Sequence, residues 1–458
     1  MKKPSETVQA AFGLFDDDSS DDEQQQVVVG TLDSLSILPP PAPTSNAADD
    51  DQEEDVPSLF APWDDVKPLS IGPIELVTDC KGIGGQRGYT AARDLEPGTR
   101  VLVEQVYVPW PSDVEQSDPS FFIATLESIL SRVDYKDIMT HLSYLHPQQL
   151  NELPDELLVA GQAKYGDLLK QLRLDFRHLE LSEDELLQNV FAMQCNAFDS
   201  GVFLYNAMFN HDCNPNCVKF TPESTTTGVS GATGISEVRV AKKILKGEAL
   251  TISYLYPREQ SRENRQQNLR EQFGFVCICE LCRRGDSVLP NPPPPSSEEE
   301  RGALVEMKDL EKVLGVAEEL LKNKTNAAQV LQIALESLSD ALEIVAHDHI
   351  VFIRIHKLVA DSCDLLLQAK PNQDIREYAI LFLRSSYELL ELQQSYLNES
   401  HMDLARTLND VSQGIQLLLS YDPNALLAEF AEWKDFREAS FVENKYRQEY
   451  RRIKRLYE

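Results

Sequence analysis

The sequence predicts an α+β domain, a β framework interrupted by a helical insertion, and after it an all-α domain. Strand-like runs and glycine-dense turns stand on both sides of a segment whose apolar residues recur every three or four positions. Residues 301–458 keep that helical spacing almost throughout, and a proline-rich segment precedes them. We therefore expect the first domain over residues 68–286, a stiff linker over 287–300 and the helical domain over 301–458.

Residues 1–67 are predicted to form a disordered acidic tail. Residues 1–65 carry 16 acidic side chains and 2 lysines, together with a cluster of prolines. Such a segment cannot bury enough apolar surface to offset the loss of chain entropy. We expect it to be solvated, and it supplies part of the formal net charge of −32.

The overall charge and the apolar pattern limit the classes of partner. With a net charge of −32 and a pI near 4.6, the chain is not expected to bind nucleic acid or an anionic membrane directly. That charge suits a protein substrate with a basic, lysine-containing segment. The sequence has no apolar run of the roughly 18–20 residues that a membrane span needs, and no signal-peptide core. We expect a monomer in the cytoplasm, the nucleus or both.

The β framework is predicted from runs on either side of the insertion. "IELVTD", "KGIGGQRGY" and "RVLVEQVYV" alternate β-rich runs with turns before it, and "SEVRVAKKI" and "ALTISYLY" follow it. The insertion, at about 112–190, contains "FFIATLESILSRV" and further segments with helical spacing. Within it, "SEDE" predicts a helix that begins with Ser182 as its N-cap.

The helical domain contains two segments of similar sequence. One begins at His349 and the other at His401, 52 residues later, and each has an arginine five residues on, Arg354 and Arg406. A repeat of this kind predicts stacked helical hairpins of the tetratricopeptide (TPR) type. Because only two copies are visible, an ordinary helical bundle is the alternative.

Three crowded cysteines, Cys277, Cys279 and Cys282, predict a metal site. In a reducing compartment such crowding favours a metal over a disulfide, and a closed zinc site needs four tetrahedral ligands. Cys213, in the stretch "FNHDCNPNC" (209–217), is the predicted fourth ligand. The remaining cysteines are expected to be buried thiols: Cys80, Cys195, Cys217 and Cys363.

The same stretch supports further interpretations. A competing zinc site of His211, Cys213 and Cys217 would also lack one ligand and would leave the other cluster unused. Pro215 predicts a tight bend between two asparagines. A cysteine held by zinc beside that bend would keep Asn210 and His211 rigid, as a preorganised polar pocket requires. Because an asparagine amide both donates and accepts hydrogen bonds, such a pocket suits a zwitterionic ligand.

Five segments together resemble the SET-domain protein-lysine methyltransferases, specifically the SMYD subfamily, over about residues 70–286 and more loosely to the end. They are, in order, "RGYTAARDLEPGTRVLVE", "QCNAF", "FNHDCNPNC", "VRVAKKILKGEALTISY" and "FGFVCICELC". The resemblance implies that the Asn-His-x-Cys segment and the strand bearing a tyrosine cross to form a pocket for S-adenosylmethionine. It also implies one structural zinc site, shared with the post-SET segment 273–286, and C-terminal helices that close over the substrate cleft.

The resemblance also assigns residues to the cofactor pocket. Arg87, Gly88 and Tyr89 would lie along the cofactor, Phe275 would pack on its adenine, and His141 would approach the adenosine. Asparagine and histidine side chains would hold its polar ends. The residues that complete the cofactor-binding set are Asn196, Asn210, His211 and Tyr254.

The resemblance makes Tyr254 the main catalytic residue, with Phe198 and Phe273 lining the channel for the substrate lysine. An uncharged lysine amine would attack a methyl group on a sulfonium in line, and positioning and desolvation provide most of the acceleration. The Tyr254 hydroxyl would orient that amine.

Two departures from the subfamily pattern bear on activity. The usual Gly-x-Gly of the cofactor turn is Gln86-Arg87-Gly88, so the backbone freedom of one glycine is missing unless the glycines at 82, 84 and 85 compensate. Phe273 stands where the subfamily often has a second channel tyrosine. The missing hydroxyl leaves space, which would permit higher methylation states or weaken catalysis.

The sequence leaves a second function open. No MYND zinc finger is present, since no cysteine lies between Cys80 and Cys195. The altered glycine turn and Phe273 favour a catalytically degenerate SET protein that serves as a protein-binding scaffold. The intact Asn210 and Tyr254 favour an enzyme that acts on histone or non-histone lysines. A zinc-stabilised interaction protein, the third class, would leave Tyr254 and "QCNAF" unexplained.

Overall fold

The computed structural model describes residue 63 and residues 65–457, except 81–85, 116–117, 221–233, 256–258, 287–297, 323, 370–374, 398 and 432. Most of the predicted tail and of the predicted linker therefore lies outside the described residues. So do Gly82, Gly84 and Gly85, the glycines before the cofactor turn. The domain boundaries stay predictions.

Short strands form most of the regular structure on either side of the helical insertion. Their bounds are β1 Ser70–Ile71, β2 Ile74–Cys80, β3 Gln86–Ala91, β4 Arg100–Gln105, β5 Val108–Pro109, β6 Ala197–Phe198, β7 Gly201–Val202, β8 Asn210–His211, β9 Cys217–Phe220, β10 Ile235–Val240 and β11 Thr251–Ile252. Antiparallel pairing gives sheets in the orders β1-β4-β10-β9, β5-β7-β6 and β2-β3, whereas β11 pairs in parallel with β8.

A buried carboxylate in β4 positions the chain that leads to β8. Glu104 accepts hydrogen bonds from the backbone nitrogens of Tyr205 and Asn206 at 2.9 and 2.8 Å, and from the Asn206 amide at 2.8 Å. Burial raises the pKa of Glu104 to about 7 in spite of these donors. Trp63, at the start of the described chain, packs its ring against Tyr144 and Tyr205.

The insertion is helical, as the apolar spacing predicts. Its helices are α1 Phe121–Leu130, α2 Tyr135–Ser143, α3 Asp155–Asp175 and α4 Glu183–Cys195, with 3-10 turns at Leu150–Glu152 and Arg177–Leu179. The predicted start of α4 is confirmed, since Ser182 and Glu185 form a reciprocal capping box. At Gly161 of α3 an added Cβ would lie 2.2 Å from the ring of Phe191, so α3 and α4 pack closely.

The region after the strands is all-helical, which confirms the predicted fold class. After the two helices at the end of the strand-containing part, α5 Arg262–Phe273 and α6 Glu280–Arg284, consecutive long helices pack on one another. They are α7 Glu298–Lys322, α8 Ala327–Ile344, α9 Val351–Ala369, α10 Arg376–Tyr396, α11 Met402–Tyr421, α12 Pro423–Glu429 and α13 Phe436–Tyr457. No helix among the described residues is long and apolar enough to cross a membrane.

The two similar segments share one role and differ in another. His349 and His401 each accept, through Nδ1, a hydrogen bond from the backbone nitrogen two residues later, at the start of α9 and of α11. The arginines differ: Arg354 is buried and pairs with Glu318 at 2.9 Å, whereas the Arg406 side chain is 73% exposed. The repeat therefore marks two helix starts, and the TPR-like arrangement stays a prediction.

The last helix packs on the central sheet. An added Cβ on Gly98, which has φ of 88°, would lie 2.4 Å from the carbonyl oxygen of Leu456. Arg239 of β10 donates to the same oxygen at 3.1 Å, and the Tyr457 ring lies 6.5 Å from that of Phe220 in β9. The last helix, α13, therefore contacts β10 and the edge strand β9 of this sheet.

Candidate functional site

The site is built where two separate strands cross. Asn210 and His211 of β8 pair in parallel with Thr251 and Ile252 of β11. Beyond β11 the backbone nitrogen of Tyr254 donates to His211 Nδ1 at 3.0 Å. The structure thereby brings three of the predicted residues together from positions more than 40 apart in sequence.

Gly88 allows Asn210 to approach the turn at the start of β3. The Asn210 amide donates to the carbonyl oxygen of Arg87 at 2.9 Å. A Cβ at position 88 would lie 2.0 Å from that amide nitrogen and 3.2 Å from Cys80 Sγ. Any side chain here would displace the Asn210 amide, so Gly88 has a packing role toward Asn210 in addition to any role toward a ligand.

The loop after α2 forms another wall, which the sequence interpretation missed. Arg87 donates to the carbonyl oxygen of Tyr144 at 2.5 Å, and the Asn196 amide donates to those of His146 and Ala192 at 2.7 Å each. Because these contacts use backbone carbonyls, no side-chain pattern announces them. The adjacent "HP" dipeptide was the only local signal of an irregular loop.

His141, which was predicted to approach the adenosine, contacts two side chains of the protein. Its Nδ1 lies 2.6 Å from the Tyr107 hydroxyl, and its Nε2 lies 3.1 Å from Asp65. No contact among the described residues joins His141 to Asn210 or Tyr254. The predicted role of His141 toward the adenosine stays a prediction.

Aromatic rings surround Tyr254. The ring centroids of Phe273, His211 and Phe275 lie 5.0, 5.2 and 6.3 Å from it. The Tyr254 hydroxyl donates to the carbonyl oxygen of Phe209 at 2.6 Å, which fixes its orientation. Burial raises the pKa of Tyr254 well above its ordinary value, so the hydroxyl stays protonated at neutral pH.

Two other predicted residues lie outside this aromatic group. The Tyr89 side chain is fully buried, with its ring 4.7 Å from that of Phe209, so only its backbone can line the site. Phe198 contacts Phe203 at 5.6 Å between ring centroids and lies under the Lys219 ammonium at 4.9 Å. Its role as a channel wall stays a prediction.

The four predicted zinc ligands come together. Cys213, Cys277, Cys279 and Cys282 place their sulfur atoms within 4.8 Å of one another, and Cys213 Sγ lies 3.5 Å from Cys282 Sγ. Four thiolates at about 2.3 Å from a zinc ion would be separated by about 3.8 Å, so the arrangement fits a closed tetrahedral site.

The competing zinc site inside "FNHDCNPNC" does not form. Cys217 is 1% exposed in the core and its backbone pairs with Val240 of β10, away from the sulfur cluster. His211 Nε2 instead lies 3.3 Å from Cys213 Sγ, where it can donate to a bound thiolate. Cys80, Cys195, Cys217 and Cys363 are buried free thiols, and burial raises the pKa of each.

A buried cation links the sulfur cluster to the C-terminal helices. Arg265 of α5 is fully buried, lies 3.9 Å from Cys282 Sγ and pairs with Asp286 at 2.9 Å. The carbonyl oxygen of Asp286 accepts from the backbone nitrogen of Ile350 at 2.9 Å and from the Tyr396 hydroxyl. Because four thiolates around a divalent ion carry an excess of two negative charges, Arg265 offsets part of that charge.

Comparisons with known proteins match one domain family and several curated proteins. Residues 86–255 match the family model described as SET domain. "Histone-lysine N-methyltransferase SET5" of Meyerozyma guilliermondii is 25% identical over 183 residues, which cover 39% of this chain and 35% of that protein. "Protein-lysine N-trimethyltransferase SMYD5" of Homo sapiens is 32% identical over 121 residues, 25% of this chain and 27% of that protein. "Histone-lysine N-methyltransferase Smyd1" of Mus musculus is 36% identical over 88 residues, which cover 19% of this chain and 18% of that protein.

The match to the SET domain model includes the strand crossing but not the cysteines after α5. The matched residues 86–255 contain β8, β11 and Tyr254, whereas Cys277, Cys279 and Cys282 lie beyond them. The chain spans about a third or less of the length of these curated relatives.

Proposed function

We propose that this chain is a protein-lysine N-methyltransferase that uses S-adenosylmethionine, because residues 86–255 match the SET domain family model and the chain is similar to SMYD proteins. The observation that carries this proposal is the pairing of Asn210–His211 with Thr251–Ile252, which places Tyr254 beside them. Relatives named as lysine methyltransferases support the reaction type. The proposed target is a lysine of a histone or of another protein.

The polar groups around the crossing suit a zwitterionic cofactor. The amide nitrogens of Asn196 and Asn210 donate to backbone carbonyls, and neither amide oxygen accepts a hydrogen bond from the described residues. These two acceptors can receive an ammonium group or hydroxyls, and the Arg87 guanidinium can pair with a carboxylate. Phe275 offers an aromatic face. When bound, S-adenosylmethionine supplies an electrophilic methyl group.

Tyr254 would position the lysine amine. Its hydroxyl hydrogen is used by the carbonyl oxygen of Phe209, so the lone pairs of the hydroxyl oxygen remain to accept an N–H of the amine. Phe273 and Phe275 present apolar surface beside it and exclude water. Such surroundings favour the neutral amine over the charged ammonium, and only the neutral form is a nucleophile.

A protein-binding scaffold is the second candidate function. Two sequence features favour it, the altered glycine turn and Phe273, and the backbone at the turn weakens the first of these arguments. Gln86, at the position of the missing glycine, is the first residue of β3 and has no positive φ. A strand residue there needs no special backbone freedom. Phe273 lacks a hydroxyl but packs on Tyr254, which is compatible with a channel for an already methylated amine.

Further features of the account are proposals of the same kind. The acidic composition supports a protein substrate with a basic, lysine-containing segment. A structural zinc ion in the four-cysteine site, a TPR-like arrangement of α7–α13, a monomeric state and a cytoplasmic or nuclear location complete the proposal.

Calorimetric titration with S-adenosylmethionine separates the enzyme from the scaffold. We expect the wild-type chain to bind one cofactor, and Asn210→Ala to bind it at least tenfold more weakly. Asn151→Ala, an exposed change in the Leu150–Glu152 turn, is the matched control and should bind as the wild type does. Absence of cofactor binding by the wild-type chain would favour the scaffold.

A further inference from the structure

A groove lies beside the β5-β7-β6 sheet, outside the site described above. It has a volume of about 510 Å³, enough for one or two side chains. The apolar part of its lining is Val106, Pro109, Trp110, Pro111, Val114 and Phe121. Gln105, Asp199 and Ser200 add polar groups to the lining, so the groove suits a ligand segment that carries both apolar and polar side chains.

The floor of the groove is held in place by hydrogen bonds and ring packing. Trp110 donates through Nε1 to the carbonyl oxygen of Phe198 at 2.6 Å, and its backbone nitrogen donates to that of Ser200 at 3.3 Å. Its ring centroid lies 5.2 Å from that of Phe121. A preformed floor costs little conformational entropy on binding.

The rim of the groove is acidic. Asp113 and Glu115 flank Val114, Asp118 precedes Phe121 by three residues, and Asp199 lines the groove itself. All four carboxylate residues are exposed, and the Lys219 ammonium lies 3.9 Å from Asp199. An acidic rim around an apolar floor is complementary to a segment that carries basic and apolar side chains together.

The groove lies beside β6, which begins next to Asn196 of the candidate site. Phe198, which accepts the Trp110 hydrogen bond, stands two residues after Asn196, whose amide is bound by the loop of His146. A bound segment could therefore reach from the groove toward the strand crossing along β6, an edge strand of its sheet among the described residues.

We infer that this groove binds the part of the protein substrate that flanks the target lysine, and that it selects a segment with an apolar side chain next to basic ones. The inference rests on the proposed function for the presence of a target lysine. The apolar side chain would lie on Trp110 and Val114, and the basic side chains would pair with rim carboxylates such as Asp113 and Asp118. A nucleic acid, being anionic, would be repelled by the same rim.

The test uses fluorescein-labelled twelve-residue peptides and the full chain without cofactor. Each peptide has a central lysine, two arginines and one leucine, which is moved through successive positions, and matched peptides carry serine in place of leucine. We expect at least one leucine peptide to bind the wild type at least tenfold more tightly than its serine partner. Equal affinities across all pairs would overturn the inference.

Two variants locate the binding. Val114→Arg fills the groove and opposes a basic ligand, and should weaken binding of the preferred peptide at least tenfold. Val133→Arg, at a fully exposed position between α1 and α2, is the matched control and should leave the affinity unchanged. Equal binding by both variants would place the peptide elsewhere and overturn the inference.

Titration of the same proteins with the cofactor distinguishes failure of the groove inference from failure of the proposed function. A chain that binds S-adenosylmethionine but shows no leucine preference would refute the groove and leave the proposed function intact. A chain that shows the preference and binds no cofactor would refute the function, and the groove would stand as a peptide site of a scaffold.

Discussion

At the scale of single residues, the position of the Asn210 side chain depends on the absence of a side chain at Gly88. The Asn210 amide occupies the space that a side chain at position 88 would need. The same amide donates to the carbonyl oxygen of Arg87, so it ties β8 to the start of β3. A change at either position therefore disturbs the turn and the strand crossing together.

Gly88→Ala should weaken the binding of S-adenosylmethionine at least tenfold, which is about 1.4 kcal/mol. The added Cβ would lie 2.0 Å from the Asn210 amide nitrogen and would push that side chain out of place. Calorimetric titration measures the effect. Gly166→Ala in α3, where an added Cβ meets nothing within 4 Å, is the control. Equal affinities in the two variants would contradict the packing argument.

His356 makes the helical region sensitive to acid. It is buried in α9, its Nδ1 has no hydrogen-bond partner among the described residues, and burial lowers its pKa from 6.5 to about 4. The folded chain therefore binds fewer protons than the unfolded chain between these values. The contribution of His356 to the free energy of unfolding is intact above pH 6.5 and falls as the pH drops toward 4.

His356→Leu should remove this pH dependence. On going from pH 7 to pH 5, the wild type should lose about 2 kcal/mol more of its free energy of unfolding than the variant does. The figure comes from a loss of about 1.4 kcal/mol for each pH unit below 6.5. Urea denaturation at the two pH values measures it. His178→Leu, an exposed control, should show no such gain. The same change in both variants would contradict the assignment to His356.

At the scale of elements, some contacts follow from the sequence and others do not. Helical spacing and the Ser182 capping box predict α1–α4, and crowding of cysteines predicts the four-sulfur cluster. The burial of Arg265 has no sequence signal, because "RENRQQNLREQF" is polar except for Leu269 and Phe273 and shows no amphipathic pattern that would mark Arg265 as buried. Its burial results from the tertiary contact with Asp286, which only the folded chain brings close.

Arg265→Met should weaken zinc binding and also the contact between the zinc segment and helix α9. Loss of the cation leaves Asp286 buried without its partner and the thiolates without compensation. We expect zinc affinity to fall about 10- to 100-fold, as for other groups that contact metal ligands. Chelator competition measures the affinity, and hydrogen exchange at Ile350 reports the helix contact.

Arg270→Met on the same helix is the matched control for that variant, because residue 270 is exposed. It should keep the zinc affinity and the protection of Ile350. If Arg265→Met behaved as Arg270→Met does, Arg265 would have no part in joining the sulfur cluster to α9.

At the scale of the whole molecule, three parts of the chain meet at the candidate site. The strand crossing supplies polar groups, the segment after α5 supplies Phe275 and the cysteines, and the C-terminal helices hold both the zinc segment and the sheet edge. The sequence predicted the first two parts from local motifs. The third depends on contacts such as that of Arg239 with Leu456, 217 residues apart, which no local pattern records.

Methyl transfer to protein tests the central claim most directly. Isotope-labelled S-adenosylmethionine is incubated with the full chain and a panel of basic proteins, histones included, and mass spectrometry identifies labelled lysines. We predict transfer by the wild type and a loss of at least 100-fold in Tyr254→Phe, whose hydroxyl would orient the amine. Transfer by Tyr254→Phe at the wild-type rate, or no labelled lysine from a wild-type chain that binds the cofactor, would contradict the account.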